Sequence, residues 1–177
     1  MNQHGDAGPI LVAIGSNLAD ADGRSPLAVC RRAAVALEGL VGLRVMAVSR
    51  WYRSAPVPSS GQPDFVNGVV RLEGVVVPEV LLAALHRLEN SAGRRRGAIN
   101  AARVLDLDII AMGDLVRAAP DPILPHPRAH LRAFVLAPLA EVAPDWCHPL
   151  LQCSVQALLA GVKDQAIGVI CQEIDVI

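Results

Sequence analysis

The sequence predicts an α+β fold: a mainly antiparallel, ferredoxin-like sheet with helices packed on it, in a single domain over residues 9–161. Three observations carry this. The apolar patterning runs strand, helix, strand, strand, helix, strand from residue 9 to 112, the order of a split βαβ unit. A length of 177 residues suits one domain with a real core better than two. No internal repeat, heptad pattern or low-complexity stretch competes with that reading.

Each element has a local reason. Residues 1–8 are polar and read as a flexible tail. Pro9 to Ile14 is a short apolar run that ends in Gly15-Ser16-Asn17, a buried strand entering a turn. Ser25-Pro26 opens a helix, with Leu27, Cys30, Ala34, Leu37 and Val41 at helical spacing. Leu43 to Tyr52 reads as the second strand. Prolines stop it, because they remove ladder donors, so Ser54 to Pro63 is a long loop of the kind that often carries function.

Phe65 to Glu73 alternates as a third strand, with Phe65, Asn67, Val69 and Arg71 on one face. Pro78 opens a second helix whose Leu81, Leu82, Leu85 and Leu88 form an apolar stripe closed by Gly93. A run of arginines, Arg94 to Arg96, leads to the strand around Leu105-Asp106-Leu107-Asp108-Ile109-Ile110. Gly113 and Asp114 turn the chain, Pro125-His126-Pro127 follows, a helix interrupted by Pro138 is expected over 132–142, and a last helix over 150–159. Residues 162–177 read as a C-terminal extension.

Composition narrows the function. A net charge of −1 and a pI near 6.5 offer no general attraction to nucleic acid or anionic membrane. Five aromatics, Trp51, Tyr52, Phe65, Phe134 and Trp146, are too few for a base-stacking platform. The four cysteines, Cys30, Cys147, Cys153 and Cys171, have neither disulfide density nor zinc spacing and read as reduced thiols. No secretory leader or apolar span of about 20 residues is evident, so the expected location is the cytoplasm.

The chemistry centres on Asp106 and Asp108. A strand's period of two sends both carboxylates to one face and Leu105, Leu107 and Ile109 to the other. Alone, an Asp-x-Asp pair is more often a solvated strand edge. Beside Arg94, Arg95, Arg96 and Arg103, whose guanidinium forks suit phosphate, it becomes a candidate phosphoryl-transfer site.

An ordered series of motifs extends this: Gly15-Ser16-Asn17; Tyr52-Arg53-Ser54; Gln62-Pro63-Asp64-Phe65-Val66-Asn67; Glu89 with Gly93-Arg94-x-Arg96; Arg103-Val-Leu-Asp106-Leu-Asp108-Ile109; Pro125-His126-Pro127; and Arg132-x-Phe134-Val-Leu. In this order, from Ile10 to about Pro149, the chain resembles the 6-hydroxymethyl-7,8-dihydropterin pyrophosphokinases of folate biosynthesis. The resemblance implies transfer of pyrophosphate from ATP, which binds first, to the pterin alcohol, leaving AMP.

By position, the resemblance makes Asp106 and Asp108 the carboxylates holding two Mg²⁺ ions, and Arg94 and Arg103 the phosphate contacts, with Arg96 between them. Asn67 would bond the pterin edge and Phe65 and Phe134 flank its ring, while Ser54, Ala55 and Val57 add loop contacts. Glu89, Arg96, His126 and Arg132 would serve the nucleotide, with Ile109 and Pro127 lining the adenosine pocket. Loops 54–63 and 94–102 would close over both substrates. Where many members carry a further Arg and a Trp-Gly-Pro, this chain has Ile99-Asn100-Ala101-Ala102 in a loop one residue shorter. No residue is identified as a general base. The expected partners are the two small-molecule substrates, with neither nucleic acid nor membrane, and the chain is expected to be a monomer or weak dimer. A rival from another class is a non-catalytic ferredoxin-like regulatory module that binds nucleotide or metal.

Overall fold

The structure is a computed structural model and describes residues 8–59, 61–93 and 101–170. Arg94, Arg96 and Ile99, the tail before residue 8 and Cys171 therefore lie outside the described residues. Strand β1 (Ile10–Ser16) is the sheet's centre, paired antiparallel with β4 (Phe65–Gly74) on one side and β5 (Asp106–Met112) on the other. Along the far edge of β4 run β2 (Leu43–Val48) and then β3 (Tyr52–Ser54), both antiparallel to it. The antiparallel α+β sheet expected from the patterning is present, and among the described residues no helix is long and apolar enough to cross a membrane.

Helices α1 (Pro26–Glu38) and α2 (Pro78–Ser91) cover one sheet face. Ser25 caps α1, its hydroxyl accepting from the Ala28 N–H, and proline at the first turn presets the backbone of both helices. Their apolar stripes meet Val12, Ile14, Val70, Leu72, Leu107 and Ile109 in one core. Helix α1 ends at Glu38, capped by Gly39, so Val41 is 98% exposed and does not extend the stripe.

The second face is not left open, as a four-strand, two-helix unit alone would leave it. Helix α3 (Ala133–Val142) lies across it and buries Leu11, Val69 and Ile110 against Val135, Leu136 and Leu139. Pro138 does not interrupt this helix. Its missing N–H costs one internal bond, and burial of the flanking Leu136, Ala137 and Leu139 holds the helix through it. The end of this face near Phe134 carries a cavity among the described residues.

Two boundaries differ from the patterning for tertiary reasons. The strand expected over 43–52 breaks at 49–51, where Ser49 bonds the Val69 backbone and Trp51 folds over Gly68; a Cβ on Gly68 would lie 2.6 Å from the Trp51 ring. The helix expected over 150–159 is instead a hairpin of β6 (Cys147–His148) and β7 (Cys153–Ser154) leading into α4 (Val155–Gly161), with Ser154 as N-cap. Beyond it, β8 (Ile167–Val169) pairs with β3 and completes the sheet.

Candidate active site

Sheet register builds the site. On the face partly covered by α3, Asn67 of β4 pairs with Gly15 of β1, and Gly15 pairs with Asp106 of β5. One step along, Val69, Ala13 and Asp108 form the next row. The central strand thus contributes only a hydrogen and a methyl group between an amide on one side and two carboxylates on the other. A side chain at Gly15 would meet Asn67 Oδ1 and the Asp106 Cβ, at 3.7 and 3.9 Å. Small residues at these two positions leave a floor, and a cavity of about 350 Å³ stands on it.

The walls come from separate elements. Ser54, Ala55 and Val57 line one side, with Phe65 beside them; Phe134 and Arg132 enter from the start of α3. Ser54 is buried and its Oγ accepts from Asn67 Nδ2 at 3.0 Å, which orients the amide. Arg132 stacks on Phe134, its guanidinium carbon 5.5 Å from the ring centroid.

At the other end Arg103 donates to Asp106, Nη1 to Oδ2 at 2.6 Å. His126 Nε2 lies 3.9 Å from Asp108 Oδ2, while its Nδ1 accepts from the Arg128 N–H. That bond leaves Nε2 to carry the proton in the neutral ring. His126 is held there because its own N–H donates to Ile110 O, continuing the sheet edge.

Charge is crowded. Burial, then the neighbouring Asp106 charge, raises the Asp108 pKa above the usual carboxylate value. Burial lowers that of His126, against the pull of Asp108, and burial with the nearby Arg128 lowers that of Arg132. Two carboxylates that repel each other beside one arginine and one weakly basic histidine make a site that favours a divalent cation. The donors are oxygen, which suits Mg²⁺. The residues present therefore fit Mg²⁺.

Of the residues singled out from sequence, Ser54, Ala55, Val57, Phe65, Asn67, Arg103, Asp106, Asp108, His126, Arg132 and Phe134 line this one cavity. Three do not. Glu89 is 2% exposed beneath β5, where its Oε1 accepts from the Leu107 N–H at 2.8 Å; it braces the Asp strand from the opposite face. Ile109 belongs to the core under α1 and α2, as the alternation that exposes Asp108 requires, and the same alternation puts Ile110, not Ile109, on the cavity face. Pro127 is exposed in the turn after His126 and does not reach the lining.

The patterning also missed contributors. Ala13 has no sequence signal beyond its small size, and Gly15 enters only through the Gly15-Ser16-Asn17 motif with no role attached; what both do depends on which strands flank β1. Asn17 is 1% exposed and its amide bonds Gln62, Pro63 and the Arg103 backbone; in sequence it is a turn residue within the Gly15-Ser16-Asn17 motif, with no role assigned to it.

Residues 11–144 match the family model of 7,8-dihydro-6-hydroxymethylpterin-pyrophosphokinase. A 2-amino-4-hydroxy-6-hydroxymethyldihydropteridine pyrophosphokinase of Pseudomonas aeruginosa is 42% identical over 136 residues, which cover 77% of this chain and 81% of that protein. One of the same name from Haemophilus influenzae is 36% identical over 78% of this chain and 83% of its own. Among solved structures, Plasmodium falciparum HPPK-DHPS superposes with a TM-score of 0.65 over 90% of this chain, at 11% identity. This chain spans 45% of that longer one, and the likeness shows a shared fold. On the family match and these relatives, the chain belongs to the 7,8-dihydro-6-hydroxymethylpterin-pyrophosphokinase family.

Proposed function

We propose that this protein transfers pyrophosphate from ATP to 6-hydroxymethyl-7,8-dihydropterin, giving AMP and the pterin pyrophosphate in folate biosynthesis. The observation that carries the reading is the row Asn67–Gly15–Asp106. It sets an amide that can read the edge of a flat heterocycle across an open floor from a paired carboxylate that suits a phosphate-bound cation.

In this reading the pterin lies between Phe65 and Phe134 with its polar edge on Asn67, whose amide Ser54 holds in place. Ala55 and Val57 close the same side. ATP lies toward Arg103, His126 and Arg132, cations or donors matched to its charge. Arg94 and Arg96 join them on the strength of the resemblance. Asp106 and Asp108 would hold the two Mg²⁺ ions. Bound there, Mg²⁺ supplies neutralisation of the charge that builds on phosphate oxygens.

The pterin hydroxyl oxygen forms its bond to the β-phosphorus as the bond from that phosphorus to the AMP oxygen breaks, with loss of the hydroxyl proton. The protein's task is to hold the two oxygens in line and stabilise the transferring group, since phosphoryl transfer asks little covalent chemistry of side chains. Arg103, fixed through Asp106 and through its own backbone, is suited to that role.

Incubation of the purified protein with ATP, Mg²⁺ and the pterin tests this. The expected result is AMP formed only with the pterin present, without ADP. ATP binding with no AMP would instead favour the regulatory-module reading.

A further inference from the structure

The family match ends at residue 144, yet the segment from Val162 to Ile170 touches both walls of the cavity. On one side β8 pairs with the outer edge of β3, Ser54 facing Ile167 and Tyr52 facing Val169, and the Ile170 N–H donates to Trp51 O at 2.8 Å. Strand β3 ends in Ser54, the residue that holds Asn67.

On the other side stands Gln165. Its Oε1 accepts from the Ala133 N–H at 2.9 Å and its Nε2 donates to Leu131 O at 2.8 Å. Those two peptide groups bracket Arg132. Arg132 begins α3 but makes no side-chain cap bond, so Gln165 satisfies one of the helix's orphan N–H groups from a distant point of the chain. Arg132 and Phe134, which it anchors, form the wall opposite Ser54 and Phe65.

We infer that Gln165 is a positioning residue for the heterocycle pocket: it ties the Arg132–Phe134 wall to a segment that β8 ties to the Ser54 wall, and so sets the gap into which a flat bicyclic ring fits. Gln165 is itself exposed and packs in no core cluster, so its contribution rests on these two bonds. The pocket's occupant rests on the function proposed above; the clamp does not.

The test compares wild type, Gln165→Ala and Gln165→Glu in the full chain by steady-state kinetics, thermal melting and amide hydrogen exchange. Glutamate keeps an acceptor for the Ala133 N–H, favoured at a helix N-terminus, but sets a second acceptor against Leu131 O in place of the donor. Gln165→Ala is expected to raise the pterin KM about fivefold, the scale of one lost cap, with kcat within about twofold and a melting temperature lower by about 2–4 °C. Amides over 131–135 should exchange faster in Gln165→Ala, and Gln165→Glu, which keeps the bond to Ala133, should fall between it and wild type in pterin KM. An unchanged pterin KM, whether or not melting falls, would overturn the inference, as would unchanged exchange over 131–135. If wild type makes no pterin-dependent AMP, the function proposal fails, and exchange at 131–135 still decides the clamp.

Discussion

Asn17 Oδ1 accepts the Arg103 N–H at 2.7 Å, while the same amide's Nδ2 donates to Gln62 Oε1 and Pro63 O, both at 3.2 Å. One buried side chain at the end of β1 thereby joins the loop that lines the heterocycle end to the arginine at the phosphate end. Asn17→Ala would leave the Arg103 N–H unsatisfied and release loop 62–63. It should cost about 1–3 kcal/mol in urea unfolding and lower kcat/KM about tenfold or more, since the arginine's backbone loses its anchor. Asn17→Asp keeps the acceptor and should retain more of both.

Asp108 is expected to trade stability for function. Its folded-state pKa is raised, by burial first and then by Asp106, so the folded chain binds this proton more tightly than the unfolded chain does. The ionised carboxyl therefore works against folding. That cost is full above the raised pKa and is relieved as pH falls from there toward the ordinary value of 3.8. Because the Asp108 side chain is only partly buried, with 43% of its surface exposed, the cost is under about 1 kcal/mol, and Asp108→Asn should raise the melting temperature of the metal-free protein at neutral pH by a few degrees at most, while turnover falls at least about a hundredfold. A lower melting temperature in this variant would contradict the picture of two crowded carboxylates.

Mg²⁺ should reverse the same cost. A ligand that binds only the folded state stabilises it by mass action, about 2.7 kcal/mol at one hundred times its Kd. Wild type is expected to melt higher with added Mg²⁺ and ATP than with ATP alone. In the double variant Asp106→Ala, Asp108→Ala that increment should vanish while the circular dichroism spectrum stays native. The metal-dependent gain should also shrink as pH is lowered into the titration of Asp108, earlier than for an ordinary aspartate.

Glu89 should behave as a brace. Its carboxylate is buried against the Leu107 N–H on the face opposite the site, so Glu89→Ala leaves that donor unpaired. The expected loss is about 1–3 kcal/mol in chemical denaturation. In the folded fraction the ATP KM should change less than about threefold, far less than direct loss of a phosphate contact, for which about 1.5–3 kcal/mol is typical. A large rise in ATP KM with unchanged stability would return Glu89 to the nucleotide.

Gly15 gives a test of the floor. Its backbone needs no left-handed conformation and a Cβ meets only ordinary contacts, so Gly15→Val should fold with stability equal to or above wild type, β-branched residues being favoured in strands. The added methyls would stand in the gap between Asn67 and Asp106. The pterin KM is expected to rise by about tenfold or more, in line with 1–3 kcal/mol for overfilling a close-fitting site.

Local patterning was enough to read the antiparallel α+β order, the face on which Asp106 and Asp108 lie, and the set of motifs that mark the family. These follow from local periodicity and from residue chemistry that does not depend on distant contacts. The alternation that exposes Asp108 equally buries Ile109, so the core role of Ile109 was legible too. The remaining features arise from long-range packing. Strand register made Ala13 and Gly15 the floor; helix α3 packed over Leu11, Val69 and Ile110 on the second face; Trp51 over Gly68 split one strand into two. Glu89 became a brace because α2 packs under β5, and Gln165 reached α3 only because β8 joins the sheet edge at β3. Each of these depends on residues far apart in the chain being brought together, which a period of two or 3.6 residues cannot encode.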